Sequence, residues 1–238
     1  MYKNKKILAV IPARTGSKGL PNKNIKMLNG KPLIAWSIEL SKKSKYIDKL
    51  IVSTDGVEIA EVARTYGAEV PFMRPKKLAS DTAKSEDVII HAINFLKEKG
   101  EEFDYIVLIE PTSPLRTVDD IDKPLEILID HKEAKAIVSV APLEATHPEF
   151  TVIIQDNGLI KPYLGSSRIT SKRRQDLDDV YFFEGTIYIS DIPTFEEIKG
   201  FYHELTLAYV VDLFKSFEVD NEKDLVIIEA LMKYEGRK

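Results

Sequence analysis

The chain has 238 residues, 44% of them hydrophobic and 30% charged, with no cysteine and a formal net charge of −4. These values fit one large α/β domain and exclude disulfides, thiolate metal sites and a cysteine nucleophile. The mildly acidic balance gives nucleic acid no footing. No apolar run reaches the length of a membrane span, and Pro12 and Arg14 end the first one too early for a secretory signal, so a cytoplasmic protein without membrane contact is expected.

The first apolar run, Lys6–Ile11, reads as a strand buried on both faces, as in a parallel sheet. It enters a loop, Pro12 to Asn24, with Gly16 and Gly19 in a Gly-Ser-Lys-Gly core and with Arg14, Lys18 and Lys23 around it. The glycines let main-chain N–H groups converge, and the cations add positive charge, so the loop reads as a polyphosphate cradle. It is neither a Walker A loop nor a G-x-G-x-x-G fingerprint. Loss of the latter removes the case for a dinucleotide oxidoreductase.

Pro32–Leu40 begins an amphipathic helix with proline at its start. Lys49–Thr54 is a second buried strand, broken at Asp55-Gly56, and a helix follows through Ile59, Val62, Ala63 and Tyr66. Ala68–Phe72 reads as a short strand, and Ser85 as the cap of a helix that turns Val88, Ile89, Ala92, Ile93 and Leu96 inward. Phe103–Ile109 is a strand and Ile121, Leu125 and Leu128 mark the next helix. Ala136–Val140 is another strand. Alternation of this kind specifies a doubly wound, mostly parallel α/β sheet with helices on both faces. From Pro142 to Val180 no helix is evident; Thr151–Ile154 and Leu159–Ile160 form a hairpin around Asp156-Asn157-Gly158. The sheet resumes at Glu184–Ile189, Leu207–Val211 and Ser216–Val219. Asn221 caps a last helix. The chain is read as one domain, 1–238, with 142–180 as an excursion.

Several polar stretches fall at strand ends, where open α/β sheets bind ligands. Arg74 through Ala83 is a loop able to reach a phosphate, a ribose or a base edge, or simply a solvated connection. Glu110-Pro111-Thr112-Ser113-Pro114-Leu115-Arg116 is stiffened by two prolines and suits a pocket wall. Glu218-Val219-Asp220 puts two carboxylates on one strand face, a donor pair for Mg²⁺ held jointly with phosphates or an acidic helix cap. His91, His131, His147 and His203 show no metal spacing; only His147, in the excursion, is considered near substrate.

Taken in order, Ile11–Gly19 with Lys23-Asn24, Ile51–Asp55, Arg74-Pro75 through Ala83, Pro111–Arg116 and Arg174-Gln175 resemble the CMP-sialic acid synthetases, or acylneuraminate cytidylyltransferases, across nearly the whole chain. The resemblance implies a Rossmann-like nucleotidyltransferase fold and transfer of CMP from CTP to a 2-keto-3-deoxy sugar acid, a sialic acid or related nonulosonate, with release of pyrophosphate. It implies that Arg14, Lys18 and Lys23 are catalytic, holding the triphosphate and the leaving pyrophosphate. Pro12, Ser17, Asn24, Arg74, Ala83 and Ser85 complete the nucleotide site. Glu110, Arg174, Gln175, Phe183, Glu184 and Tyr188 form the sugar site, and Glu218 with Asp220 holds Mg²⁺. A homodimer, with the excursion reaching the partner's site, is also implied. Alternatives are CMP activation of an octulosonate or amino-sugar acid, or a nucleotide-sugar-binding regulator that has lost catalysis.

The chain departs from sialic-acid-specific members at three places. Glu110 stands where they commonly have Gln, Glu184 where Asn commonly precedes Gly, and Glu218 where the metal pair is commonly Asp-x-Asp. An amide donates and accepts hydrogen bonds, whereas an ionised carboxylate only accepts. A sugar other than N-acetylneuraminate is therefore expected, unless Glu110 or Glu184 faces solvent or pairs with Arg173 or Arg174.

Overall fold

The computed structural model describes residues 1–17, 19–143, 146–164 and 173–237; of Arg174 it describes the backbone only. Ten strands and six α-helices are found among these residues. The strands are β1 (Ile7–Pro12), β2 (Met27–Leu28), β3 (Lys31–Pro32), β4 (Lys49–Ser53), β5 (Tyr105–Leu108), β6 (Ala136–Pro142), β7 (Val152–Ile154), β8 (Ile160–Pro162), β9 (Tyr181–Asp191) and β10 (Thr206–Val210). The helices are α1 (Leu33–Lys43), α2 (Val57–Thr65), α3 (Ser85–Glu98), α4 (Asp119–Asp130), α5 (Ile192–Ile198) and α6 (Glu222–Tyr234).

Six strands form the central sheet in the order β10-β6-β9-β5-β1-β4. β1 runs parallel to β4 and β5, and β10 parallel to β6. β9 alone is antiparallel, inserted between β5 and β6. This is the expected α/β architecture. β1 is buried along Ile7–Ile11, and its side chains alternate between two cores. Ile7, Ala9 and Ile11 pack with Ile34, Ile38, Ile121 and Leu125 on one face. Leu8 and Val10 pack with Ile89, Ile93, Leu96 and Phe195 on the other.

A third cluster lies away from the sheet centre and holds the loops together. Leu20 from the glycine loop, Leu115 from the proline-rich turn, Val219, and Ile228 and Met232 of α6 are all buried against one another. Burying a side chain of this size contributes roughly 1.5–3 kcal/mol. Three segments remote in sequence are thereby fixed around one cleft.

Four expectations are corrected. Ser216–Val219 is not a strand: Leu213–Ser216 is a 3₁₀ turn whose start is capped by Asp212, which accepts from the Phe214 N–H at 3.2 Å. Ala68–Phe72 makes only one isolated bridge, at Glu69, with a second at Met73 just beyond it, because Pro71 between them lacks the donor a ladder needs. Ser85 is the first residue of α3 and makes no capping bond; Lys84 precedes it in extended conformation. α5 was not anticipated. It has seven residues, starts Ile192-Pro193, and is capped by Asp191 accepting from the Thr194 N–H. The 151–160 hairpin and the Asn221 cap are as expected; Asn221 and Asp224 form a reciprocal capping box.

Candidate active site

The cleft opens at the carboxyl ends of β1, β4 and β5. One wall is made by Pro12, Arg14, Arg74, Ser80, Ala83 and Ser85, and Glu110 lines the same pocket. This wall gathers most of the residues expected at the nucleotide. Arg14 Nη1 pairs with Asp81 at 2.7 Å, tying the glycine loop to the Arg74–Ala83 segment. Arg74 is 6% exposed. Its Nε donates to Ser53 Oγ at 3.1 Å and its Nη2 to the Ser53 carbonyl. Burial lowers its pKa to about 10, so it still carries its charge at neutral pH. Thr15 donates through N–H and Oγ1 to Asp55, which anchors the loop to the end of β4.

Asn24 does not line this pocket; it is buried and donates to the Arg14 carbonyl at 2.9 Å, fixing the loop from behind. Ser17 lies within the loop, its N–H bonded to the Thr15 carbonyl. Lys18 and the Arg174 side chain lie outside the described residues. Lys23 reaches across the cleft, donating to the Val219 carbonyl at 2.9 Å and to Asp220 Oδ1 at 3.2 Å. Gly19 sits against the same segment: a Cβ there would stand 2.5 Å from the Asp220 carbonyl oxygen.

The opposite wall comes from β9 and the segment before α6. Phe183, Glu184, Glu218 and Asp220 line a second pocket. Phe183 packs at a tilt against Tyr202 with ring centroids 4.5 Å apart, and Tyr202 in turn meets Tyr188 edge-on. Tyr188 lies within the field of Glu110, and burial keeps its phenol protonated. Phe183 and Tyr188 thus fall on the expected wall, with Tyr202 as an unforeseen third ring.

Carboxylates accumulate where the walls meet. Burial, and then the charge of Glu218, pushes Glu110 up to about 7. Glu218 is raised by burial and by Glu184 and Asp220, while the Gly185 N–H stabilises its charge. Arg116 acts on both Glu110 and Glu218, and Lys23 acts on Glu110 and bonds Asp220. Gly185 permits this arrangement: a Cβ there would collide with Glu218 Oε1 and lie 2.9 Å from Ser113 Oγ.

The two glutamates expected at the sugar behave differently. Glu184 is 5% exposed and its Oε2 accepts from the N–H and Oγ1 of Thr186, so it is held by its own strand. It neither faces solvent nor pairs with Arg173. Glu110 is fixed through its backbone, its carbonyl accepting from Ser37 Oγ and Arg116 Nη2, and no hydrogen bond from the described residues reaches its carboxylate. His147 is buried in the excursion, where its ring contacts the Asp178 carbonyl and accepts from the Glu149 N–H; it lines neither pocket. Gln175 is exposed in a short 3₁₀ turn.

Arg116 closes the proline-stiffened motif and has a structural part that the motif does not signal. It is 2% exposed, and all its described bonds go to carbonyls or a hydroxyl: Thr186, Gly185 and Glu110 carbonyls and Ser37 Oγ. Its only sequence signal was its place after two prolines at a strand end.

The chain matches the family model described as Cytidylyltransferase over residues 8–204. It is 36% identical over 236 residues to CMP-N,N'-diacetyllegionaminic acid synthase of Legionella pneumophila, covering 96% of this chain and 97% of that protein. It is 31% identical to pseudaminic acid cytidylyltransferase of Campylobacter jejuni, at 96% and 97% coverage. N-acylneuraminate cytidylyltransferase of Escherichia coli is 31% identical over 98% of this chain, which spans about half (53%) of that longer protein. Among solved structures, CMP:2-keto-3-deoxy-manno-octonic acid synthetase complexed with CTP superposes with a TM-score of 0.70 at 19% identity, covering 97% of this chain and 99% of that one, and so supports the fold. With the glycine loop, the buried Arg74 and the carboxylate junction in one cleft, these matches show that the chain belongs to the cytidylyltransferase family, in the group of the CMP-sialic acid synthetases.

Proposed function

We propose that this protein transfers CMP from CTP to the anomeric hydroxyl of a nonulosonate-type 2-keto-3-deoxy sugar acid. The observation that carries the reading is the single cleft whose cationic wall (Arg14, Arg74) faces an aromatic wall (Phe183, Tyr188, Tyr202), with Glu110 and Lys23 between them. The sugar hydroxyl oxygen attacks the α-phosphorus and gives up its proton to solvent, a new P–O bond forms, the bond to the bridging oxygen breaks, and pyrophosphate leaves with that electron pair. Such chemistry needs alignment and charge neutralisation more than a covalent intermediate. Arg14 and Lys23, with Lys18, neutralise the triphosphate and the departing pyrophosphate. Pro12, Ser17, Arg74, Ala83 and Ser85 enclose the nucleoside side, and Asn24 holds the loop in shape.

The donor chemistry at the junction fits a magnesium ion. Asp220 is exposed at the rim, Glu218 is half-buried beside it, and the local excess of carboxylates favours a divalent cation. Glu218 and Asp220 would hold it; when bound it supplies positive charge to the phosphates. Glu110, an acceptor without an internal partner, faces the sugar and favours a nonulosonate that presents an N–H or O–H there. Arg174, with Gln175 beside it, meets the sugar carboxylate. The excursion is suited to a second copy of this chain: Ile154, Leu159 and Tyr163 are 73%, 63% and 61% exposed on a two-stranded hairpin. The work belongs to the cytoplasm, where CTP is available; no described helix is long and apolar enough to cross a membrane.

The test is pyrophosphate release on mixing the protein with CTP, Mg²⁺ and a panel of N-acetylneuraminate, legionaminate, pseudaminate, octulosonate and amino-sugar acids. Release with a nonulosonate supports the reading. Tight nucleotide binding with no release for any acid would favour a regulator instead.

A further inference from the structure

Arg116 is a costly residue to bury. A fully buried guanidinium is stable only when its donors are satisfied, and even then burial lowers its pKa to about 10. Its donors do not go to a carboxylate. Nη2 donates to the Glu110 carbonyl and to the Gly185 carbonyl, each at 3.2 Å; Nε donates to the Thr186 carbonyl; Nη1 donates to Ser37 Oγ at 3.3 Å. Ser37 Oγ in turn donates to the Glu110 carbonyl. One planar group therefore joins α1, the end of β5 and the centre of β9. The last two are antiparallel neighbours whose ladder pairs Tyr105–Leu108 with Tyr188–Asp191 and stops short of residues 110 and 185. Arg116 bridges the two strands where their own ladder has ended.

What hangs on those carbonyls is one wall of the cleft. Glu110 is the carboxylate at the junction. Gly185 is the residue on which Glu218 rests. None of the four bonds goes to residues 12–24 or 74–85 of the nucleotide wall; the contact with that pocket runs through Glu110 alone, which lines it at the junction and is held by its carbonyl. The same buried charge also acts on Glu184, Glu110 and Glu218 without pairing with any of them.

We propose that Arg116 is the positioning residue of the acceptor half of the cleft: it sets the spacing between Glu110 and the Gly185–Glu218 pair, and so the alignment of the sugar hydroxyl against CTP. The proposal rests on the cytidylyltransferase reading above. Lysine keeps the charge but offers one donor centre in place of a fork, so it cannot span the same three carbonyls. Displacement of a reacting group by an ångström can cost on the order of 100-fold in rate.

The test compares wild type with Arg116→Lys and with the milder Ser37→Ala, using steady-state kinetics for both substrates and calorimetric titration with CTP. The proposal expects Arg116→Lys to lose about 30-fold or more in kcat and to raise the sugar-acid KM about tenfold. Ser37→Ala should show the same split at a few-fold, and in both variants the CTP Kd should stay within about twofold of wild type. If CTP affinity falls in parallel with turnover, or if Ser37→Ala, folded and binding CTP normally, shows no change in sugar-acid kinetics, the proposal is wrong. A wild type that turns over no sugar acid would instead remove the underlying functional reading, a result distinct from either.

Discussion

Gly185→Ala offers a sharp separation between stability and activity. The added methyl would collide with Glu218 Oε1, and would lie 2.9 Å from Ser113 Oγ and 3.0 Å from Glu218 Cδ. Two of those atoms belong to the end of a flexible side chain, so Glu218 can swing away at little cost. Ser113, fully buried, has less room. Overpacking of a core typically costs 1–3 kcal/mol, and with a movable neighbour the lower end applies, about 1 kcal/mol. Removing a strand glycine returns part of that through reduced unfolded-state entropy. The expected change is therefore within about 1 kcal/mol, or roughly 2–4 °C in Tm for a chain of this size. Activity should respond far more. Glu218 loses the Gly185 N–H and its position beside Asp220, and turnover should fall at least about 100-fold, with the apparent Mg²⁺ requirement raised. Thermal unfolding and an Mg²⁺ titration of pyrophosphate release make the measurement. Near-normal turnover with an unchanged Mg²⁺ dependence would refute the docking of Glu218 on β9.

Other outcomes follow from the same structure. Burial raises the Glu110 carboxyl from 4.5 to about 7, so the native state binds this proton more tightly than the unfolded chain does. Its contribution to stability is full below pH 4.5 and is lost as pH rises through about 7. The shift corresponds to at most roughly 3 kcal/mol, and screening at this partly exposed group reduces it to about 1–2. Urea unfolding at pH 5 and pH 7.5 should show wild type losing that much more than Glu110→Gln; parallel losses would contradict it. Asn221→Ala removes both side-chain bonds at the start of α6, to the N–H groups of Lys223 and Asp224. It should cost about 1 kcal/mol, read as a Tm shift. Because α6 carries the third core cluster that also holds Leu20 and Leu115, activity should decline only near the new Tm.

The first strand and its glycine loop were legible because a buried parallel strand leaves a continuous apolar run, and because the loop breaks it with residues that have few other uses. The Asn221 cap was legible because capping is local. What could not be read depends on β9. Its antiparallel insertion between β5 and β6 brings Gly185 and Thr186 onto Arg116, 69 and 70 residues away in sequence. No spacing rule signals that meeting. Tyr202 joined the aromatic wall for the same reason, delivered by α5, a helix too short to show periodicity. Ser216–Val219 misled because its alternation looks like a strand, yet Asp212 turns the chain just before it and Val219 instead donates to the Thr112 carbonyl at 2.8 Å. The pair Glu110 and Glu184 looked equivalent as sequence; only burial and the Thr186 bonds tell them apart.

CTP labelled separately at the α- and γ-phosphates tests directly which phosphorus is attacked. With Mg²⁺ and an accepted nonulosonate, the α-label should pass into a sugar-linked CMP and the γ-label into pyrophosphate, in equal amounts. Label remaining in CTP, or γ-label released as inorganic phosphate with CDP as the nucleotide product, would contradict the account.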